Sequence, residues 1–353
     1  MDNRFLREDL RTLKPYKVDG EEYKIRLDAN ESFIPAQKAI IEELKNKIDT
    51  ALFNRYPDAE AKKVCSLFAD YVGVEAEKVL AGNGSDELIQ IIMNTFIEKG
   101  EKVAVLNPDF SMYSFYAKIG GGVPTAIELD EDLQIDIDLL IEKINSIKPK
   151  IFIFSNPNNP TGGIIKKEDI LKLIKSCDCL VVLDEAYMEF YGDSLVGEID
   201  KYYNLIILKT CSKALGMAAI RLGFLITNLE IMEALKSVKP PYNVNSISQS
   251  FGEVVLTHTA EIEVYAESIV SERKYLFEEL SNFKPLKLYK ANSNFVFLSY
   301  EKAEELNKFL LDKSIKVRCF AGGRLDNFIR ITAGSRAENN ELIKALKEFF
   351  TGR

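Results

Sequence analysis

The chain has 353 residues, 46 Lys+Arg against 54 Asp+Glu, a net charge of −8 and 46% hydrophobic positions. That length and composition suit two domains or one large α/β unit with a substantial core, and they exclude disorder and fibrous repeats. Net acidity without blocks of Lys and Arg argues against nucleic acid as the main partner, and the lack of any run of about 18 uncharged apolar residues excludes a transmembrane helix and a membrane role.

Residues 1–14 alternate charge with single apolar side chains and contain no apolar core of signal-peptide length, so a cytoplasmic protein is expected. From about residue 79 to 227, short apolar runs alternate with longer segments of helical period. The runs are Lys78–Ala81, Lys102–Leu106, Ile151–Phe154, Leu180–Leu183, Leu205–Leu208 and Leu222–Ile226. Most are apolar at successive positions, as strands covered on both faces are, and a largely parallel sheet with flanking helices follows. After Thr227 the texture changes: Lys239–Pro240–Pro241–Tyr242 is a stiff break, and a helical pattern then runs to about Asn282. Short strands at Asn294–Leu298 and Phe328–Ile331 and helices at Lys302–Lys313 and Asn339–Phe350 complete the chain. These shifts predict a large domain over 31–240 and a smaller α+β domain over 241–353, with the arm 1–30 packed on the latter.

The five cysteines, Cys65, Cys177, Cys179, Cys211 and Cys319, are odd in number and scattered, which reads as reduced thiols. Cys177 and Cys179 have no second pair at zinc-finger spacing, so no metal site is expected. The single histidine, His258, lies in a helix-patterned stretch, Ser248 to Glu272, far from any G-x-S-x-G. It is read as structural, and two-histidine zinc sites, facial-triad iron sites and a Ser-His-Asp hydrolase lose their basis.

Ligands of α/β sheets sit beyond the carboxyl ends of the strands, so the residues after each run carry the functional reading. Gly82–Asn83–Gly84–Ser85–Asp86–Glu87 leads into a helix, and its free N–H groups favour a phosphate, although a plain glycine turn with a capping Ser or Asp has the same pattern. Asn156–Pro157–Asn158–Asn159–Pro160–Thr161–Gly162 is a stiffened loop that projects side-chain amides. Asp184–Glu185–Ala186–Tyr187 places a carboxylate at the end of a buried strand, where it calls for a cation or a helix N-terminus. Thr210, Ser212 and Arg221 make an anion cup beside Lys213. A lysine for a Schiff base, a carboxylate for a pyridine nitrogen, a donor for a phenolic oxygen and a phosphate anchor are together what pyridoxal 5'-phosphate requires.

With these motifs in place, the sequence resembles the fold-type I, aspartate aminotransferase-like, pyridoxal-phosphate enzymes, and within them the branch that acts on histidinol phosphate. The resemblance runs from Leu27–Asp28–Ala29–Asn30–Glu31 through Arg55–Tyr56–Pro57–Asp58, the segments above, Pro108–Asp109–Phe110–Ser111–Met112–Tyr113 and Pro240–Pro241–Tyr242–Asn243–Val244–Asn245 to Arg330–Ile331–Thr332–Ala333–Gly334. It implies a large domain with a mostly parallel seven-stranded sheet flanked by helices, and a smaller α+β domain. It also implies that Lys213 forms the internal aldimine and shuttles the proton, that Asp184 holds the pyridinium, and that Asn159 and Tyr187 bond the phenolic oxygen. Tyr113 is matched to the ring stacked over the pyridine, and Ser85, Asp86, Thr210, Ser212 and Arg221 to the phosphate cup. Tyr56 is matched to a residue that reaches the partner subunit's cofactor phosphate, which implies a homodimer.

For the substrate, the resemblance points to Arg330 and Arg318, with Tyr16 and Asn30 lining the same pocket; a surface strand residue is the competing reading of Arg318. Two arginines suit a dianion better than one carboxylate. The implied reaction is ping-pong transamination between L-histidinol phosphate and 2-oxoglutarate, giving imidazole acetol phosphate and glutamate in histidine biosynthesis. The rivals on the same fold are a threonine-phosphate decarboxylase and an aromatic or broad-range aminotransferase. The usual Asn-Glu-Asn-Pro reads Asn30–Glu31–Ser32–Phe33 here, and Arg324, after Gly322–Gly323, adds a cation without an assigned role.

Overall fold

In the computed structural model of the chain the described residues are 5–11, 13 and 21–352. Strand β1 spans Ile25–Leu27, β2 Val79–Gly82, β3 Lys102–Asn107, β4 Val123–Glu128, β5 Ile151–Ser155, β6 Leu180–Asp184, β7 Leu205–Thr210 and β8 Gly223–Thr227. They are followed by β9 at Lys287–Leu288, β10 at Phe295–Ser299, β11 at Ile315–Cys319 and β12 at Phe328–Thr332. Seven strands form the larger sheet in the order β2-β8-β7-β6-β5-β3-β4, in which only β8 runs against its neighbours.

The unbroken apolar runs have a simple physical reason. Along β5, Phe152 and Phe154 enter one buried cluster while Ile151 and Ile153 enter another on the opposite face, and β6 and β7 divide their side chains in the same way. A strand roofed on both sides has no solvent face to favour polar side chains at alternate positions, so the period-two alternation of half-buried strands disappears. The sequence reading misses β4 because this edge strand is mostly exposed and carries Pro124, a residue that sheets admit at their edges.

The smaller sheet, in the order β1-β11-β12-β10-β9, joins the two ends of the chain: β1 pairs in parallel with β11, opposite Ile315–Val317. β1 and β9 are too short to announce themselves, and in β11 Lys316 and Arg318 interrupt the apolar run, whereas β10 and β12 lie within a residue of their expected bounds. The chain passes from one sheet to the other later than the Pro240 break, because the helix Ser246–Leu256 still packs on the helices Lys38–Asp49 and Lys62–Val72. His258 is not inside a helix. It sits at the break between Ser246–Leu256 and Thr259–Ser281, with its ring nitrogens 3.0 Å from Glu43 and 3.4 Å from Glu261. All five cysteines are free thiols, and among the described residues no helix is long and apolar enough to cross a membrane.

Candidate active site

Strands β2, β3, β5, β6 and β7 run in one direction, so their carboxyl ends share one edge of the larger sheet; the antiparallel β8 begins at that edge. The start of β8 is therefore wedged between the ends of β2 and β7. This juxtaposition brings together three stretches that are far apart in sequence: the turn Gly82–Gly84, the hydroxyls after β7, and Arg221.

Glycine makes the approach possible. Gly84 caps the helix Ser85–Phe96 at φ 81°, ψ 164°, a conformation that side chains oppose, and a Cβ there would lie 2.7 Å from Arg221 Nη2. A Cβ on Gly223 would lie 2.5 Å from the Ser85 nitrogen. The first N–H groups of that helix thus open toward the Arg221 side chain, which stands 3.5 Å from Asp86. Nearby, Thr210 Oγ1 donates to Ser212 Oγ across 3.1 Å, both residues being buried. Burial pushes the Asp86 carboxyl up, opposed by Arg221 and Lys213. Backbone donors, two hydroxyls and a guanidinium make an anion site of the kind that phosphate esters occupy.

Asp184 ends β6, almost wholly buried, and accepts 2.7 Å from Tyr113 Oη and 3.0 Å from the Ala186 N–H. Both donors are neutral. Burial outweighs them and pushes the Asp184 carboxyl up to about 6, as expected of an acid that faces no cation. Behind it lies a second acid, Asp109, which accepts from the Ser155 hydroxyl and from the N–H groups of Ser155 and Phe110. Burial pushes Asp109 up to about 8, and the Asp184 charge adds to the effect. Beneath the site, Lys209 lies buried between Glu185 at 3.1 Å and Glu189 at 2.9 Å. Burial pulls its ammonium down, but the two carboxylates outweigh that and keep it charged.

The remaining groups meet around Asp28–Asn30. Lys213 Nζ donates to the Ala29 carbonyl at 3.1 Å and stands 5.8 Å from the Tyr187 ring centre. Arg330 donates to the Asp28 carbonyl at 2.7 Å and to Asn159 Oδ1 at 2.5 Å. Asn30 Nδ2 donates to Tyr187 Oη at 2.9 Å. Arg318 faces Arg330 directly across the β11–β12 ladder, but it is exposed and stacks on Phe320.

Several sequence-derived assignments change. Tyr113 cannot stack over a ligand: it is completely buried and its hydroxyl is committed to Asp184. The ring beside it that keeps some exposure is Phe110, edge-on to Tyr113 at 5.4 Å. Asn30 is only 1% exposed, with its amide spent on Tyr187 and Thr332, so it does not line an open pocket. Arg324 turns away from the other arginines to Glu128 at 2.6 Å and to the carbonyls of Asn107, Leu129 and Asp130, tying the turn before β12 to the ends of β3 and β4. Tyr56 is 81% exposed and stacks on Tyr242 at 4.6 Å, pointing out of its own site. Tyr16 lies outside the described residues. Asp109 and Thr332 stand inside the motifs named above without a role, while Ser155 directly follows one expected strand and Asn294 opens another; the sequence reading gives none of the four a part in the site.

Comparison with known proteins agrees with this geometry. The family model for aminotransferase class I and II matches residues 22–346. A relative named histidinol-phosphate aminotransferase, from Clostridium novyi (strain NT), is 52% identical over 97% of this chain and 96% of its own. A solved histidinol-phosphate aminotransferase from Clostridium acetobutylicum superposes with a TM-score of 0.85 at 29% identity, covering 93% of this chain and 100% of that one. The fold is also that of a Sinorhizobium meliloti histidinol-phosphate aminotransferase solved with pyridoxal-5'-phosphate, with a TM-score of 0.90 at 20% identity over 99% of this chain and 98% of that one.

Proposed function

The chain belongs to the class I and II aminotransferase family, and from that premise we propose that it transfers the amino group of L-histidinol phosphate to 2-oxoglutarate by a ping-pong route in histidine biosynthesis, using pyridoxal 5'-phosphate. The observation that carries the substrate is the register of the smaller sheet, which sets Arg318 opposite Arg330. Like charges directly opposed across a ladder cost stability, and a phosphate dianion between two guanidiniums offsets that cost in a way one carboxylate does not. The full-length relative from C. novyi carries the same substrate in its name, which favours this reading over the decarboxylase and aromatic alternatives.

The residues fit the cofactor. The glycine-kept opening at Gly84 and Gly223 suits its phosphate. The buried Asp184, bonded only to neutral donors, suits its ring nitrogen. When bound, the cofactor supplies an electron sink for the charge left as the substrate Cα loses a proton. Asp184 favours the protonated ring nitrogen, and a cation there lowers its own carboxyl from about 6. Asn159 accepts from Arg330 through Oδ1, which leaves its Nδ2 hydrogens to donate to the phenolic oxygen. Tyr187 donates to the same oxygen, and the Lys213 amine carries the proton at Cα. Phe110 takes the stacking place first given to Tyr113. The exposed Leu52, Phe53, Tyr56 and Tyr242 form an apolar face suited to a homodimer, from which Tyr56 reaches the partner's phosphate.

The test is a half-reaction. Protein loaded with pyridoxal phosphate is mixed separately with L-histidinol phosphate, threonine phosphate and phenylalanine while the visible band is followed. Loss of the band at low histidinol phosphate, with little response to the others, is the expected result. A stronger response to threonine phosphate or phenylalanine overturns the substrate, and no visible band at all overturns the cofactor.

A further inference from the structure

Asn30 is placed more tightly than a substrate contact needs to be. Its backbone is in the left-handed region, at φ 55°, which Asn tolerates and most residues do not. Its N–H donates to Thr332 Oγ1 at 3.0 Å, and the same hydroxyl lies 3.1 Å from Asn30 Oδ1. A hydroxyl that already accepts the N–H can give its own proton to Oδ1, and this orients the amide. The Asn30 carbonyl accepts from Asn294 Nδ2 at 3.0 Å. The other end of the amide, Nδ2, donates to Tyr187 Oη at 2.9 Å. A phenol that receives a hydrogen bond from one side has its own proton left for the other.

We propose that Asn30 is a positioning residue that aims the Tyr187 proton at the phenolic oxygen of the cofactor, holding a residue beyond β6 of the larger sheet through an amide anchored on β12 of the smaller one. The inference rests on the cofactor reading above, in which Tyr187 bonds that oxygen. It assigns Asn30 to the electronic tuning of the bound ring and not to substrate affinity. Charged groups on this side are Lys213, 5.8 Å from the Tyr187 ring centre, and Arg330, 5.3 Å from the ring of Phe295, which packs edge-on against Tyr187. Both are the same in every variant below.

The test uses the loaded holoenzyme and reads the pH midpoint of its visible absorption, alongside KM for L-histidinol phosphate. A donor on the phenolic oxygen draws negative charge from the ring system, so losing it raises the midpoint. Asn30→Asp and Asn30→Gly both tolerate the left-handed backbone, so neither is expected to unfold the chain. Asn30→Asp offers Tyr187 an acceptor and turns its proton away; the midpoint should rise by about 1 pH unit, a tenfold change in the equilibrium, approaching Tyr187→Phe. Asn30→Gly should raise it by less. In a Tyr187→Phe background, Asn30→Gly should no longer move it. Unchanged midpoints with a raised KM would overturn the proposal and return Asn30 to the substrate pocket. If Tyr187→Phe itself leaves the midpoint unchanged, it is the contact between Tyr187 and the cofactor that falls. A full shift from Asn30→Gly that persists in the Tyr187→Phe background also overturns the proposal, because the amide then acts without the tyrosine.

Discussion

In the phosphate corner the groups that matter are backbone N–H groups, two short hydroxyls and one arginine, fixed by the ends of β2 and β7 and the start of β8. In the arginine corner, Arg330 of β12 meets the Asp28 carbonyl and an amide from the loop after β5, with Arg318 of β11 opposite it in the ladder. The first corner is rigid because neighbouring strands of one sheet hold every part of it. The second joins two sheets and both ends of the chain, so its geometry depends on how those sheets meet. A phosphate held by the first should stay in place through the reaction, while the second can adjust to an arriving substrate.

Lys213 belongs to both corners, following β7 while bonded to the Ala29 carbonyl. Lys213→Ala should lower turnover by roughly 10²–10⁴-fold while circular dichroism stays unchanged; substantial turnover would remove the lysine from the chemistry. Gly223→Ala probes the rigid corner alone. Its Cβ would meet backbone, 2.5 Å from the Ser85 nitrogen and 2.7 Å from the Gly84 carbonyl carbon, with nothing flexible to yield. A stability loss of about 1–3 kcal/mol, read by denaturant titration, should accompany weaker binding of pyridoxal phosphate. Native affinity in this variant would show that the corner adapts and erase the contrast.

Arg318→Ala probes the other corner. Losing one charged hydrogen-bond partner should weaken L-histidinol phosphate by about 1.5–3 kcal/mol and unphosphorylated histidinol far less. Because Arg318 is exposed and opposes another cation, stability should not fall. Equal losses on both ligands would take Arg318 out of the phosphate site.

Asp109 touches neither ligand and bears on stability rather than turnover. Its folded value of about 8 lies above its ordinary 3.8, so the folded chain binds a proton that the unfolded chain releases. The stability this provides is complete below about pH 4 and is lost as pH rises through about 8; Asp184, at about 6, acts in the same direction over a narrower window. Asp109→Asn should therefore flatten the decline in stability of the cofactor-free protein between pH 4 and 8, measured by thermal melts across that range. An unchanged slope would mean that Asp109 is ionised in the fold.

Much of the phosphate corner can be read directly from the chain. A glycine turn before a helix, hydroxyls beside a lysine and a carboxylate after a buried apolar run are each local, and local pattern carries their chemistry. The aromatic assignment shows the limit. Phe110 and Tyr113 are three residues apart in one motif, and spacing cannot say which ring faces the cleft. Tyr113 lies in the first turn of the helix Met112–Ile119 and is directed inward to Asp184, whereas Phe110 precedes that helix. Asn30 was legible as part of a motif but not as a partner of Tyr187, 157 positions away.

The sequence by itself determined the parallel sheet, the lysine after β7, the buried acid that ends β6 and the glycine turn before the helix, because these depend on residue type and near neighbours. Only the tertiary structure decided that β1 joins the C-terminal strands, that β8 is wedged between β2 and β7, that Arg318 opposes Arg330, and that Arg324 leaves the substrate corner for Glu128. The physical reason is range. Propensity and periodicity act over a turn or a strand, whereas strand order, register and the meeting of two sheets are set by burial of surfaces that lie far apart along the chain.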